Sequence, residues 1–328
     1  MEEMYVEWSR QARSALEKPV PVRFNRGIRS VIVAGMGGSG IVGDVLSTLS
    51  SNYSSLPVIT VKNHILPGFA SREDLLLVVS YSGNTVETLR VFDSALERNI
   101  PMVAVSSGGL LKTRAYEHGI PHIQLPEGLA PRASLPSMLY GVLKLLYENN
   151  LLNIPFKIVE ESVDFLEEKT GEAMAEAGLI AEWVHRSKGL LVISTHSPLE
   201  SLGLRGKNEF NENAKIPVKV DVAPEWMHND IVGYEEPFFK DFTVLEVVDP
   251  GDRVGVMLVD FMRTIYGRVT KSFHRLVLEG GSLLDKILYG SMVFGLSSCK
   301  LARMRGIDPL KTASIQEYKK AAGAIFSA

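Results

Sequence analysis

Three hydroxyls and a glycine sit together in Ser80-Tyr81-Ser82-Gly83-Asn84-Thr85, directly after the aliphatic run Leu75-Leu76-Leu77-Val78-Val79. Such a run suits a strand buried on both faces of a parallel sheet. Thr85-Val86-Glu87-Thr88-Leu89 then opens a helical pattern with Thr85 as its expected N-cap. Backbone N–H groups at a helix N-terminus favour an anion, and Ser80, Ser82 and Thr85 add side-chain donors. Gly83 permits close backbone approach. The turn holds no lysine, which argues against a Walker-type nucleotide loop. The chemistry these residues suggest is a phosphate cradle that needs no metal. By residue type alone, a solvated helix-capping turn accounts for them as well.

A second glycine loop, Gly35-Met36-Gly37-Gly38-Ser39-Gly40, follows another aliphatic strand. Its spacing also satisfies the dinucleotide fingerprint, which requires an acid at the end of the next strand for the ribose hydroxyls. That strand ends Val61-Lys62-Asn63-His64, with no carboxylate. Nicotinamide-cofactor binding is therefore set aside, and no cofactor is expected. Together the two loops resemble those of the sugar isomerase (SIS) fold family, with Gly38 and Ser39 facing a sugar phosphate alongside Ser80, Ser82 and Thr85.

Four further residues stand in patterns that narrow the resemblance to the archaeal-type bifunctional phosphoglucose/phosphomannose isomerases. Arg132 lies in Ala130-Pro131-Arg132-Ala133-Ser134, stiffened by prolines at 126, 131 and 136. The resemblance implies that it stabilises an enediolate. Glu209 and Glu212 occur at i and i+3 near a helix end, on roughly one face. Asn211-Glu212-Asn213-Ala214-Lys215 matches the family motif whose glutamate is the catalytic base. His228, in Glu225-Trp226-Met227-His228-Asn229-Asp230, corresponds to the histidine that helps to open the sugar ring and commonly reaches a neighbouring subunit's site. Lys311, in Asp308-Pro309-Leu310-Lys311-Thr312-Ala313, corresponds to the lysine heading the C-terminal helix, which assists ring opening. Without the resemblance each of these residues also reads as an ordinary surface or structural side chain.

The elements that must position these residues alternate strand and helix. Strands are expected at 30–34, 58–61, 75–79, 102–105 and 121–125, with helices at 41–50, 86–98 and 138–148. After a linker at 149–157 and a long charged helix over 158–185, strands are expected at 190–194, 217–221, 243–248 and 272–278. Helices over 198–213, 253–266 and 282–305 complete the pattern, and a last helix opens at Pro309. This is an α/β chain of two doubly wound, parallel-sheet, flavodoxin-like domains in tandem, 1–150 and 151–328. Thr195-His196-Ser197 occupies the corresponding strand end in the second half but lacks glycines, so one phosphate site per chain is expected.

At 328 residues with a net charge of −3, the chain offers no attraction for nucleic acid or a membrane surface. No stretch approaches the roughly 20 apolar residues a membrane span needs. The lone Cys299 excludes an internal disulfide and reads as a core residue, and Met1 to Pro19 has no apolar leader core. A cytoplasmic protein, dimeric through the reach of His228, is expected. Seven scattered histidines include His118 and His122 at i, i+4 spacing, but Gly119 and Pro121 oppose a helix, so no metal site is expected. The reading is an isomerase acting on glucose 6-phosphate, mannose 6-phosphate and fructose 6-phosphate. Its alternatives are an enzyme for the glucose sugar only, or a sugar-phosphate-binding regulator. A glucosamine-phosphate enzyme would usually bring a glutaminase domain.

Overall fold

The computed structural model describes residues 1–25 and 27–326. Two compact units divide the chain, and its ends are exchanged between them. One unit comprises Glu7–Asp164 with Thr312–Ala328, the other Met1–Val6 with Phe165–Lys311. Two short helices open the chain on either side of that division, α1 (Glu2–Val6) and α2 (Trp8–Glu17).

The first unit is built on five parallel strands: β1 (Ser30–Ala34), β2 (Val58–Val61), β3 (Asp74–Val79), β4 (Met102–Ser106) and β5 (His122–Gln124). Their order is β2-β1-β3-β4-β5. Every residue of β1, β3 and β4 is buried, as the apolar runs between their polar ends Ser30, Asp74 and Ser106 demand. The helices are α3 (Gly37–Tyr53), α4 (Val86–Glu97), α5 (Gly109–Glu117) and α6 (Leu135–Glu148). Ile32, Leu76 and Val78 share one core with Phe92 of α4 and Leu111 of α5. This strand order reverses between β1 and β3, and ligands of such sheets bind at that point, beyond the carboxyl ends of the strands. Both glycine loops lie there.

The second unit repeats the plan with four parallel strands: β6 (Leu190–His196), β7 (Val218–Ala223), β8 (Phe242–Val248) and β9 (Phe273–Val277), ordered β7-β6-β8-β9. The 32-residue α7 (Phe156–Ser187) leads into it. α8 (Glu200–Glu209), α9 (Arg253–Tyr266) and α10 (Leu283–Met304) follow, and α11 (Ala313–Ile325) ends the chain in the first unit. Val192 and Val244 pack with Trp226, Tyr234 and Tyr266. At the strand end equivalent to the phosphate loop, His196 is fully buried, its Nδ1 2.9 Å from the Ser197 carbonyl. Cys299 is buried, and His274 is paired to Glu176 at 2.7 Å.

Four elements differ from expectation. α3 begins at Gly37, so the glycine loop is itself the helix's first turn; low glycine propensity hid it. α5 buries only Leu111 and Ala115, too thin an apolar stripe to show as periodicity. The helix expected over 198–213 ends as α8 at Glu209 and continues as a π-helical turn, Phe210–Ala214. Finally, α11 starts at Ala313 rather than Pro309, because the Asp308 carboxylate accepts from Leu310 N at 2.9 Å and holds a turn instead. Among the described residues, no helix is long and apolar enough to cross a membrane.

At the edge of the first sheet, His122 is half-buried with Nε2 2.9 Å from Ser106 Oγ. The Ser106 hydroxyl donates to Gly108 O, so the ring must be the donor of that contact. Burial, aided by Lys112, lowers the His122 pKa to about 4 from 6.5. The unfolded chain then binds the extra proton between those two pH values, so this group's contribution to stability falls as pH drops through that window. His122→Asn should therefore show a shallower loss of Tm than the wild type between pH 6.5 and 4, measured by calorimetry. Parallel curves would refute the assignment.

Candidate active site

β3 delivers the chain to Ser80, whose N–H donates to Val105 O at 3.0 Å before the backbone turns. Gly83 closes the turn with its N–H on Ser80 O at 2.9 Å and a φ of +67°. A Cβ at Gly83 would overlap the Gly108 carbonyl, so the loop packs against the start of α5 only because the residue is glycine. Asn84 Oδ1 accepts from Leu110 N at 3.0 Å, and Tyr81 O accepts from Ser107 N at 2.8 Å, strapping the two segments together.

Thr85 does occupy the N-cap of α4, but its hydroxyl makes no capping bond; it accepts from Ser80 Oγ at 3.0 Å. Without a side-chain cap, the leading N–H groups of α4 are left for a ligand or water. Ser80 is buried, and Ser82 is half-buried with its hydroxyl accepting from Asn84 N at 3.3 Å.

The two glycine loops are bonded to each other. Ser39 Oγ, in the first turn of α3, accepts from Tyr81 N at 3.0 Å. Gly38 meets the arginine turn: a Cβ there would lie 2.8 Å from Pro131 C and 2.9 Å from Arg132 N. Arg132 is only 5% exposed, on the 3₁₀ turn Pro131–Ser134. That turn is propped by α2, since Ala133 O accepts from Trp8 Nε1 at 2.8 Å and from Gln11 Nε2 at 3.1 Å. Tyr81 holds the preceding passage, its hydroxyl donating to Pro126 O and accepting from Leu129 N, both at 2.8 Å. Burial raises the Tyr81 pKa, which keeps the hydroxyl a donor. Gly38, Ser39, Ser80, Ser82, Thr85 and Arg132 thus form one connected group. Trp8, Gln11 and Tyr81 belong to it too, and sequence reasoning missed them. Tyr81 was detectable as the aromatic inside the hydroxyl loop.

In the second unit the π turn separates the two acids expected on one helical face. Glu209 is wholly buried against Arg205, and Tyr5 OH donates to its Oε2 at 2.5 Å, Asn213 Nδ2 at 2.8 Å. Glu212 is half-buried on the turn itself. The turn ends at Lys215, in the left-handed region at φ 55°, whose Nζ donates to Glu212 O at 2.5 Å and reaches Asp308 O at 3.4 Å. Arg305, just past α10, donates to Ala214 O. These bonds tie the Glu212 turn to the segment that ends in Lys311. Lys311 is exposed and precedes α11, rather than heading it.

His228 is carried on a third element, the 3₁₀ turn Glu225–His228 after β7. It is exposed, while its neighbour Trp226 is buried 5.3 Å from the Tyr266 ring. Beneath it, Asp221 Oδ2 accepts from Tyr234 OH at 2.9 Å and Tyr266 OH at 2.6 Å. Burial first, and the Asp221 charge second, push both phenols up, so they stay protonated donors. Among the described residues, no group of three or more His, Cys, Asp or Glu is gathered to hold a metal ion.

Comparison with known proteins adds the family. Residues 173–321 match the model of the bacterial phospho-glucose isomerase C-terminal SIS domain. The bifunctional phosphoglucose/phosphomannose isomerase of Aquifex aeolicus is 33% identical over 89% of this chain and 90% of its own. That of Pyrobaculum calidifontis is 33% identical over 96% and 98%. A D-glucosamine-6-phosphate 4-epimerase of Sulfolobus acidocaldarius is 29% identical over 94% and 93%. Among solved structures, the glucosamine-6-phosphate deaminase of Thermotoga maritima superposes with a TM-score of 0.69, at 14% identity over 95% and 96%. The C-terminal domain of glucosamine-fructose-6-phosphate aminotransferase from Francisella tularensis gives 0.70, at 12% identity over 93% and 96%. At such identities the structures share the fold alone. With two parallel sheets of SIS type and relatives alike over nearly its whole length, the chain belongs to the bifunctional phosphoglucose/phosphomannose isomerase family.

Proposed function

We propose that this enzyme interconverts glucose 6-phosphate and mannose 6-phosphate with fructose 6-phosphate through a cis-enediolate. The observation that carries the reading is the bonded pair of glycine-serine loops at the switch point of the first sheet, with Arg132 pressed against Gly38. Gly38, Ser39, Ser80, Ser82 and Thr85 hold the phosphate by hydroxyls and by the helix ends of α3 and α4. His228 and Lys311 handle the O5 and O1 protons as the ring opens. Glu212 removes the C2 proton and returns it to C1, and Arg132 offsets the charge of the enediolate. General-base help is worth about 10²–10⁴-fold, and a donor aimed at the developing oxyanion about 10²–10³-fold. No cofactor takes part. The halves 1–150 and 151–328 act as two SIS-type domains, one sheet each, in a cytoplasmic protein.

The relative named as a 4-epimerase supports a second reading, the same proton-moving scaffold turned to a glucosamine phosphate. A coupled assay of each 6-phosphate sugar after dialysis against a chelator separates the two. Both glucose 6-phosphate and mannose 6-phosphate should be converted at undiminished rate, and Glu212→Gln should lower kcat about 10²-fold or more. Conversion of glucosamine 6-phosphate alone would favour the epimerase. Loss of activity to the chelator would overturn the carboxylate mechanism.

The cradle can be tested by itself. Gly38→Ala places a methyl group against the Pro131–Arg132 peptide, where backbone must move. It should fold and yet weaken fructose 6-phosphate binding about tenfold or more, read by calorimetry. Unchanged affinity would remove the arginine turn from the site.

A dimer completes the reading. His228 is exposed, and Val254, Met257 and Phe261 expose one apolar stripe of α9 at i, i+3, i+7 spacing, as a subunit contact requires. If His228 serves a neighbour's Glu212, mixing inactive Glu212→Gln and His228→Ala chains should restore about a quarter of the wild-type activity, since half the dimers are hybrids with one intact site. No recovery after verified subunit exchange would assign both residues to one chain's site.

A further inference from the structure

The carboxylate of Glu209 lies in a closed polar cluster. Arg205, one helical turn earlier, is 1% exposed and ion-paired to it; Tyr5, Glu209, Asn213 and Ser298 are all at 0%. Oε2 of Glu209 accepts from Tyr5 OH at 2.5 Å and from Asn213 Nδ2 at 2.8 Å. The same amide nitrogen donates to Ser298 Oγ at 2.9 Å, and that hydroxyl donates to Gly295 O at 2.9 Å. Gly295 is also where the Tyr5 ring rests, because a Cβ there would overlap the ring. The phenol arrives from α1, 204 residues away in sequence. Burial, followed by the Glu209 charge, raises its pKa well above 10, so it remains a donor at working pH.

Asn213 is the residue after Glu212, inside the same five-residue π turn. A π turn is rare and marks functional sites more often than ordinary helix does, so it needs support from outside its own hydrogen bonds. The support here is the side chain of Asn213, anchored inward to an ion-paired carboxylate, while Glu212 is left on the outward, half-buried side. Charge-assisted hydrogen bonds in a closed site are about twice as strong as neutral ones. Two of them converge on one oxygen of Glu209, and losing either leaves a buried carboxylate undersupported.

We infer that Tyr5 is a positioning residue for Glu212: through Glu209 and Asn213 it fixes the turn that aims the catalytic carboxylate. The inference rests on the isomerase reading, in which Glu212 is the base. Tyr5 touches no substrate in it, and the phosphate loops of the other unit take no part. Misaiming a catalytic group by about 1 Å costs up to 10²-fold in rate, so the effect belongs in kcat rather than in the binding of the phosphate.

Steady-state kinetics of Tyr5→Phe and Ser298→Ala, run well below the Tm of each, test this. Tyr5→Phe should lower kcat about tenfold while KM for fructose 6-phosphate stays within about twofold. Combining it with Ser298→Ala should cost less than the product of the single effects, because both act through Asn213. Ile287→Ala thins the core beneath α10 without touching the carboxylate. It should lower Tm and leave kcat within about twofold. The inference is overturned if Tyr5→Phe keeps the wild-type kcat, or if Ile287→Ala at a comparable loss of Tm reduces kcat as much. A wild type that isomerises neither sugar removes the isomerase reading itself, and the inference with it.

Discussion

The approach of one backbone to another at Gly38 governs the switch-point edge of the first unit. No side chain fits between the first turn of α3 and the Pro131–Arg132 peptide, so the two are held at contact distance by glycine. The bond from Tyr81 N to Ser39 Oγ then joins that turn to the loop after β3. Two helix N-termini and a buried arginine turn are thereby set around one strand-order reversal. Helix ends of this kind carry about half a positive charge each. Gathering them costs electrostatic free energy that an anion between them returns. The arginine turn that meets Gly38 is itself braced from behind by Trp8 and Gln11.

The second unit places two acids of one short stretch in opposite environments. Glu209 and Glu212 are chemically identical and three residues apart, yet one is wholly buried and the other half-buried. The buried acid is held by Arg205, Tyr5 and Asn213; breaking such a pair by removing one partner costs about 3–5 kcal/mol. That rigidity suits the outer acid in the base role proposed for it. A general base works when its distance to the carbon-bound proton varies little, and a turn tied on its inner side to α10 and α1 varies less than a solvated helix face.

Much of this was legible in residue types. The strands β1, β3 and β4 appear as aliphatic runs because both of their faces are covered, and the loops that follow them are polar because the sheet's edge is not. The hydroxyls and glycines of the two loops could be singled out for the same reason. What could not be read depends on partners far apart in sequence. Tyr5 looks like any aromatic in a short amphipathic helix, and nothing near it names Glu209. Trp8 and Gln11 share one face of α2, but that face does not say it will meet Ala133, 125 residues away from Trp8. The split between Glu209 and Glu212 was hidden because the 3.6-residue period was carried through a π turn. The head of α11 was misplaced because proline at 309 suits a helix start, whereas Asp308 uses its carboxylate to close a turn first.

A planar intermediate lets one site serve two epimers. In the enediolate C2 is planar, so glucose 6-phosphate and mannose 6-phosphate lead to the same intermediate. A single base placed on one side of that plane returns the proton to one face only. Both epimers are reached when the C1–C2 end of the sugar turns about the C2–C3 bond. Such rotation needs an anchor at the far end and freedom near the base. The phosphate on C6 provides the first when it is held by hydroxyls and backbone N–H groups, which grip charge and place no demand on the stereochemistry of the carbon chain. When the base is held in a fixed direction, the proton's destination is set by the rotation of the sugar rather than by movement of the base. Discrimination between the two sugars is therefore a matter of what crowds C1 and C2, to which an anchor on the C6 phosphate is blind.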